Sequence, residues 1–322
     1  MGNPACSLRT QQMKRLIIPR SRTVLFLLTL ATSLSALAQE LEPRAYSASP
    51  VGLNFVVLSF TRSTGEVTFD PTVPITDVEA HLNIPVVGAG RTFGLWGRQA
   101  LVTAALPYVW GDLEGKVAEQ QQRISRSGLA DVRLKLSVNL YGNPALTPEE
   151  FAKTRRRGFL FGTSLTVQAP TGQYDPVKLI NLGTNRWSFK PELGISYPWK
   201  KFDLDVYAGA WFFSKNSRFY PGHSSRTQDP ITTLQGHVSY TIRRQMWFAV
   251  DATWYQGGAG YVNDGSPSAS QNNTRLGATL SLPLTKRQSL KMSYSAGATA
   301  RTGSNFDAIG VAWQFRWFGL RP

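Results

Sequence analysis

Cysteine and histidine are scarce in this 322-residue sequence, which has one cysteine, Cys6, and three histidines. A single cysteine excludes an internal disulfide and a cysteine-based metal cluster. His81, His223 and His237 lie far apart without zinc-type spacing, and no nucleophile-elbow or phosphate-binding glycine motif is present. We therefore expect no enzyme active site, no metal site and no cofactor.

Long hydrophobic runs are also missing. After residue 38, no segment approaches the roughly 18 continuous apolar residues that indicate a transmembrane helix. Stretches with helical periodicity are nearly absent, whereas aromatic residues make up 11% of the chain and there are 28 glycines. This combination favours β-structure.

The first 38 residues have the features of an export signal. Basic residues precede an apolar run at 24–30, and Ala36-Leu37-Ala38 supplies the small-x-small pattern that signal peptidase accepts. A membrane anchor is the alternative, but the run is short and rich in Ser and Thr. We predict a signal peptide over 1–38 and a single mature domain over 39–322, with Met1 and Met13 both open as the start.

The mature chain is basic. Five of the 35 basic residues lie in the predicted signal, which leaves 30 Lys and Arg against 20 Asp and Glu. This excess is spread along an exported chain, so we do not expect nucleic acid as a partner. Outer-membrane lipid, lipopolysaccharide and small-molecule solutes, anionic ones included, are the expected partners.

A two-residue alternation of apolar and polar side chains is the strongest fold signal. In 132–140 every second residue is aliphatic, and the same alternation recurs in four further segments: 187–197, 202–210, 275–284 and 290–299. A soluble β-sandwich also alternates, but its strands usually run about five or six residues. Segments that keep the alternation over nine or more residues match the length of a bilayer crossing.

Counting such segments predicts an all-β fold, a single antiparallel transmembrane β-barrel of about 12 strands. The predicted strands are 51–62, 76–86, 98–110, 128–141, 157–170, 186–198, 201–213, 230–243, 245–256, 272–285, 288–300 and 305–318. The alternation is weakest in the first three, which contain Pro85 and Pro107. Short basic connections alternate with long polar ones, which predicts short turns in the periplasm and long loops outside.

Two further features concern the strand ends. Thr147-Pro148-Glu149-Glu150 forms a capping-box sequence and predicts a short periplasmic helix that ends near Lys153 or Thr154. In the last strand, Trp317 rather than Phe318 keeps the phase of the lipid face, and no aromatic residue is terminal. We expect the barrel-assembly machinery to recognise this strand during biogenesis.

The alternation also assigns a set of charged and polar side chains to the barrel interior. The expected lumen-lining residues are Arg133, Lys135, Lys190, Glu192, Asp203, Asp205, His237, Asp251, Arg275, Lys291 and Arg316. They fit either ion pairs that fill a rigid interior or a somewhat cationic passage. Twelve strands lie between filled eight-stranded barrels and open sixteen-stranded porins, so a narrow or partly plugged path is expected.

Several motifs resemble those of a known family. They are GLADVR at 128–133, APTGQYDP at 169–176, NLGTNRW at 181–187 and FKPE at 189–192. They resemble the outer-membrane family named for the meta-pathway of phenol degradation, over about 44–318. The resemblance implies a barrel implicated in uptake of aromatic or other hydrophobic compounds, and it brings no residue-level binding motif.

Three functions remain open. The first is an outer-membrane channel or transporter for small solutes, and the second is a structural barrel with a filled lumen. The third, favoured least, is an outer-membrane lipid hydrolase, which would depend on His237 or His223. Site geometry is needed to separate them.

Overall fold

The computed structural model describes residues 41–67, 75–117, 120–154, 158–178, 180–268, 270–300 and 305–319. The predicted signal peptide lies outside these residues. The described chain is almost entirely β-structure, with one short helix, α1, at Pro148–Lys153. Its strands are β1 Leu53–Val67, β2 Ile75–Leu95, β3 Arg98–Val117, β4 Gln120–Leu129, β5 Arg133–Tyr141, β6 Leu160–Gln168, β7 Ser188–Trp199, β8 Phe202–Phe213, β9 Asn216–Phe219, β10 Ser224–Gln228, β11 Ile231–Arg243, β12 Met246–Gly257, β13 Gly260–Val262, β14 Gln271–Pro283, β15 Gln288–Ala300 and β16 Asn305–Phe318.

Thirteen of these strands form one closed antiparallel sheet. The order is β2-β1-β16-β15-β14-β12-β11-β8-β7-β6-β5-β3-β4, and an additional β2–β3 pairing closes the ring. β4 and β5 pair with opposite halves of β3, so together they occupy the place of a single strand in the barrel wall. The sheet is therefore a twelve-stranded barrel, and the predicted fold class is confirmed.

The two faces of the barrel wall differ in polarity, as the alternation requires. Along β7, from Ser188 to Tyr197, every even-numbered side chain is buried and every odd-numbered one is exposed. The exposed set is apolar or proline, while the buried set includes Lys190 and Glu192. A wall with apolar side chains outside and charged ones inside has the polarity expected of a membrane barrel.

The barrel has two distinct ends. Tight turns at Trp96-Gly97, Lys200-Lys201 and Arg244-Gln245 join strands at one end, which we call the short-turn end. The opposite, long-loop end carries connections 169–187, 214–230 and 258–270. β9, β10 and β13 lie in these connections and form a separate three-stranded sheet, which the alternation did not predict.

The hairpin of β2 and β3 is longer than expected. β2 was predicted to end at residue 86, but it continues to Leu95 and a two-residue turn. Trp96 and Gly97 have φ values of 49° and 71°, the left-handed backbone that two-residue hairpin turns use. The β2–β3 register skips Ile84 and Pro85, so the proline interrupts the ladder without ending the strand.

A change of hydrophobic phase explains the weak alternation in this hairpin. Near the short-turn end Val87 and Val102 face outward and are exposed. Near the long-loop end Leu82 and Leu113 are buried instead, and the outward residues are polar. The buried side chains there form an apolar cluster with Phe306. This part of the wall has the polarity of a strand pair that projects into water rather than lipid.

The fourth wall position also differs from the prediction. The predicted strand 128–141 was expected to begin at residue 128. In the structure β4 begins at Gln120, and residues 130–132 separate it from β5. Asp131 lies in this break and is buried. Its carboxylate accepts from the Gly172 and Thr184 backbone N–H groups at 2.9 and 3.0 Å, and from the Thr184 hydroxyl at 2.6 Å. Asp131 therefore holds the long connection 169–187 against the barrel wall.

The predicted short helix is confirmed. Thr147 is its N-cap, with reciprocal bonds to Glu150 that complete the capping box. Among the described residues, no helix has the length and apolar character needed to cross a membrane.

Candidate functional site in the barrel interior

A buried polar network crosses the middle of the barrel. His237 Nδ1 lies 2.7 Å from Asp251 Oδ1, and the Thr279 hydroxyl donates to Asp251 Oδ2 at 3.0 Å. The His237 ring is 5.1 Å from that of Tyr207. Burying charged and polar groups without hydrogen-bond partners costs free energy. Here each group has a partner on an adjacent strand.

The segment that precedes β1 lies inside the barrel. Tyr46 is 1% exposed, and its hydroxyl is within hydrogen-bonding distance of Ser164 and Glu192, at 3.2 and 3.3 Å. Its ring rests on the wall at Gly162 and Gly194, where added Cβ atoms would lie 2.3 and 2.0 Å from ring carbons. Glycine at these two positions therefore makes room for the tyrosine.

Charged contacts hold the N-terminal half of the same segment. Arg44 Nη2 lies 2.6 Å from Asp203 Oδ2, and the Arg44 guanidinium is 4.8 Å from the centre of the Trp247 ring. Glu42 forms a 2.6 Å ion pair with Lys135. We call residues 41–50 the inner segment. It occupies the lumen from the short-turn end to about mid-height.

Above the inner segment, toward the long-loop end, the lumen contains a cavity of about 230 Å³. Three cationic side chains line it, Arg133, Arg186 and Lys190, together with the aromatic side chains of Trp211 and Phe213. The two aromatic rings are nearly parallel, with centres 6.5 Å apart. Within the described part of the chain, no lining side chain is acidic.

The cationic groups of the cavity have different surroundings. Lys190 Nζ pairs with Glu192 at 2.8 Å, and Arg133 Nε donates to Gln168 at 3.1 Å. Arg186 Nη2 donates to Gln228 at 2.6 Å, and its guanidinium lies 4.3 Å from the centre of the Phe213 ring. Burial, followed by the nearby charge of Arg226, lowers the pKa of Arg186 to about 10.

The eleven residues predicted to line the lumen fall into separate groups. Arg133, Lys190 and Glu192 lie at or below the cavity, while Lys135, Asp203 and Asp205 contact the inner segment. The remaining five are distributed as follows: His237 and Asp251 in the central network, Arg275 bonded to Ser295, Lys291 at 5.7 Å from the Trp247 ring, and Arg316 bonded to the Lys286 carbonyl at the short-turn end. Whether they line a route for solutes stays a prediction.

Several interior residues were not predicted from the sequence. Trp211 and Phe213 continue the odd-numbered interior face of β8 that begins at Asp203, so the alternation could have identified them. Arg186 precedes β7 but has the even-numbered phase of its interior face, so the predicted strand 186–198 could have identified it. Tyr46 lies outside the barrel strands, where no periodic pattern indicates its position. Among the described residues, no group of three or more His, Cys, Asp and Glu side chains is arranged to hold a metal ion.

The fold and the interior together define the structural class of the protein. A closed twelve-stranded antiparallel barrel with an apolar outer face and a charged interior has the fold of outer-membrane channels and porin-like barrels.

Comparisons with known proteins agree with this class. A family model described as a putative MetA-pathway of phenol degradation matches residues 62–315, and the chain belongs to this family. The solved COG4313 outer membrane channel from Pseudomonas putida F1 is similar in fold, with a TM-score of 0.70 at 19% identity, over 86% of this chain and 100% of that one. The β domain of the Bordetella autotransporter BrkA has a TM-score of 0.50 at 13% identity, over 83% and 100% of the two chains. No curated protein matches the sequence significantly.

Proposed function

We propose that this protein is an outer-membrane channel through which small solutes pass. The observation that carries the proposal is a cavity inside a closed barrel, lined by Arg133, Lys190 and other polar side chains, while the outer wall is apolar. An interior that served only to pack the barrel would not need an open space lined by cationic side chains. The eleven interior residues predicted from the sequence would border the path.

The comparisons support the same proposal. The family's description refers to phenol degradation, and the Pseudomonas putida protein is described as an outer membrane channel. We therefore propose aromatic or other small hydrophobic compounds as the first solutes to test. Catalysis is not part of the proposal, because within the described residues the buried Nε2 of His237 has no hydrogen-bond partner and so no nucleophile to activate.

A structural barrel with a filled lumen is the second candidate. The inner segment favours it, since Tyr46 and Arg44 pack tightly in the half of the lumen near the short turns. Single-channel recording of the refolded mature protein separates the two candidates. Discrete conductance steps, with solute uptake into proteoliposomes but not protein-free liposomes, are expected of a channel. Absence of both would exclude it.

We further propose that the barrel lies in the outer membrane with its short-turn end in the periplasm. Membrane lipid and lipopolysaccharide would surround the apolar wall, and the assembly machinery would recognise β16.

Cysteine labelling tests this orientation. Because Cys6 lies in the predicted signal, a cysteine introduced by mutation would be the single thiol of the predicted mature chain. A membrane-impermeant maleimide should label Ser217→Cys in intact cells, and Lys286→Cys only after lysis. The reverse pattern would overturn the orientation.

A further inference from the structure

The Arg186 guanidinium, in the wall of the cavity near the long loops, does not use all of its hydrogen-bond donors among the residues that the structure describes. Arg186 uses Nη2 to bond Gln228, but within the described part of the chain its buried Nη1 has no hydrogen-bond partner. A buried charged group without partners is costly. The guanidinium therefore offers a hydrogen-bond donor and a charge that an anion would satisfy.

Two carboxylates in this part of the barrel interior already accept bonds from other groups. Asp131 accepts bonds from Gly172, Thr184 and Gln168. Glu192 pairs with Lys190 at 2.8 Å and is also approached by Gln235 at 3.2 Å. Neither forms an ion pair with Arg186 among the described residues; the charge of Asp131 stabilises the guanidinium from a longer distance, without a bond to Nη1.

The rest of the cavity wall is suited to a flat ring. Trp211 and Phe213 form a continuous aromatic surface, with an interplanar angle of 12°. Arg186 covers Phe213 at 4.3 Å, whereas Lys190 Nζ approaches the Trp211 ring less closely, at 5.9 Å, so Trp211 is the more open of the two ring surfaces. The volume of about 230 Å³ is below the roughly 300–1,000 Å³ of pockets that hold drug-sized ligands. The space therefore fits a single-ring compound.

We propose that this cavity binds a small aromatic carboxylate, with its carboxylate accepting from the Arg186 guanidinium and its ring lying against Trp211. The assignment deepens the proposed channel function by naming a ligand class and its site within the lumen. It distinguishes the cavity from a general anion site, which would not need the aromatic wall, and from a site for neutral aromatics, which would not need the arginine.

Binding to the refolded mature barrel in detergent tests the chemistry without any variant. Saturation-transfer NMR with benzoate, phenol and acetate compares an aromatic carboxylate, a neutral ring and a carboxylate without a ring. We expect saturable binding of benzoate and binding weaker by at least about tenfold for each of the others, as expected from loss of a charge-assisted hydrogen bond or a stacking contact. Equal binding of phenol or of acetate would overturn the assignment.

Three variants test the position of the site. Arg186→Gln and Trp211→Leu should each weaken benzoate binding by about tenfold. Arg218→Gln, which removes a charge from the exposed surface of the same end, should leave it unchanged. Circular dichroism and the melting temperature check that each barrel is folded. Wild-type affinity in Arg186→Gln, or an equal loss in Arg218→Gln, would overturn the assignment.

The outcome also separates this inference from the channel itself. Specific benzoate binding without conductance or uptake supports the site and contradicts passage. Uptake of small solutes by a barrel that does not bind benzoate supports passage and overturns the site.

Discussion

At the scale of single residues, adjacent side chains on β5 point in opposite directions. Leu134 is 46% exposed on the outer wall, whereas Lys135 points inward and pairs with Glu42. Leu134→Arg places a cation on the lipid face, at a cost of about 2–4 kcal/mol near the middle of the membrane. We expect reduced refolding yield and a lower midpoint in denaturant titrations followed by tryptophan fluorescence.

Lys135→Ala is the matched variant on the opposite face. It removes one ion pair from the inner segment but leaves the wall intact, so the barrel should refold with nearly wild-type yield. If Lys135→Ala were the more damaging of the two, the assigned faces of β5 would be wrong.

A second residue-scale prediction concerns the glycines that face Tyr46. In Gly194→Ala the new methyl group would lie 2.0 Å from the tyrosine ring, so the ring must move and the inner segment must loosen. We expect faster proteolysis and hydrogen exchange of residues 41–50, measured by mass spectrometry. Gly236→Ala is the control, because nothing lies within 4 Å of its added Cβ. Equal protection in both variants would contradict this packing.

At the scale of elements, we expect the N-terminus of α1 to respond to pH. The Thr147 backbone N–H and hydroxyl bond the Glu150 carboxylate and hold its pKa below the usual value near 4.5. A lowered pKa stabilises the folded form above the unfolded value, and this stabilisation is lost as the pH falls through the folded pKa. Hydrogen exchange of α1, corrected for its intrinsic pH dependence, should therefore show fraying below about pH 4.5.

Glu150→Gln should remove most of this acid dependence, because the amide does not titrate in that range. An unchanged acid response in this variant would assign the fraying to another group.

The elements also show which parts of the fold were predictable from the sequence. Long regular strands such as β7 were identified within two residues because their two faces keep one polarity from end to end. β2 was cut short, since its hydrophobic phase changes near Pro85 and the turn at Trp96-Gly97 lacks the usual Asn-Gly or Asp-Gly signal. A prediction based on the two-residue alternation ends the strand where this phase changes.

The candidate site was predictable only in part, for a related reason. Lys190 and Glu192 belong to a periodic strand, so their inward direction follows from the alternation. The same phase includes Arg186, but its bond to Gln228 and the position of Tyr46 beside Ser164 depend on distant parts of the chain. Tertiary contacts of this kind have no local signature in the sequence.

At the scale of the whole molecule, the inner segment lies within the lumen near the short turns, and we expect it to narrow the passage. A mature variant that lacks residues 41–50 retains every strand, so it should still form the barrel. We expect larger single-channel conductance than that of the intact protein, with similar β-content by circular dichroism. Unchanged conductance in a folded variant would show that the constriction lies elsewhere.

The seam between β1 and β16 has a consequence for how the molecule forms. Leu53 pairs with Phe318 and Glu66 with Asn305, so residues from opposite ends of the barrel sequence become neighbours along the entire seam. The other neighbouring walls follow each other in the chain. Of all the strand pairings in the barrel, this one joins residues farthest apart in the sequence, so from the unfolded chain it has the largest loop-closure cost. Refolding should be slow and limited by this closure, and until then both edge strands have unpaired backbone groups that promote aggregation.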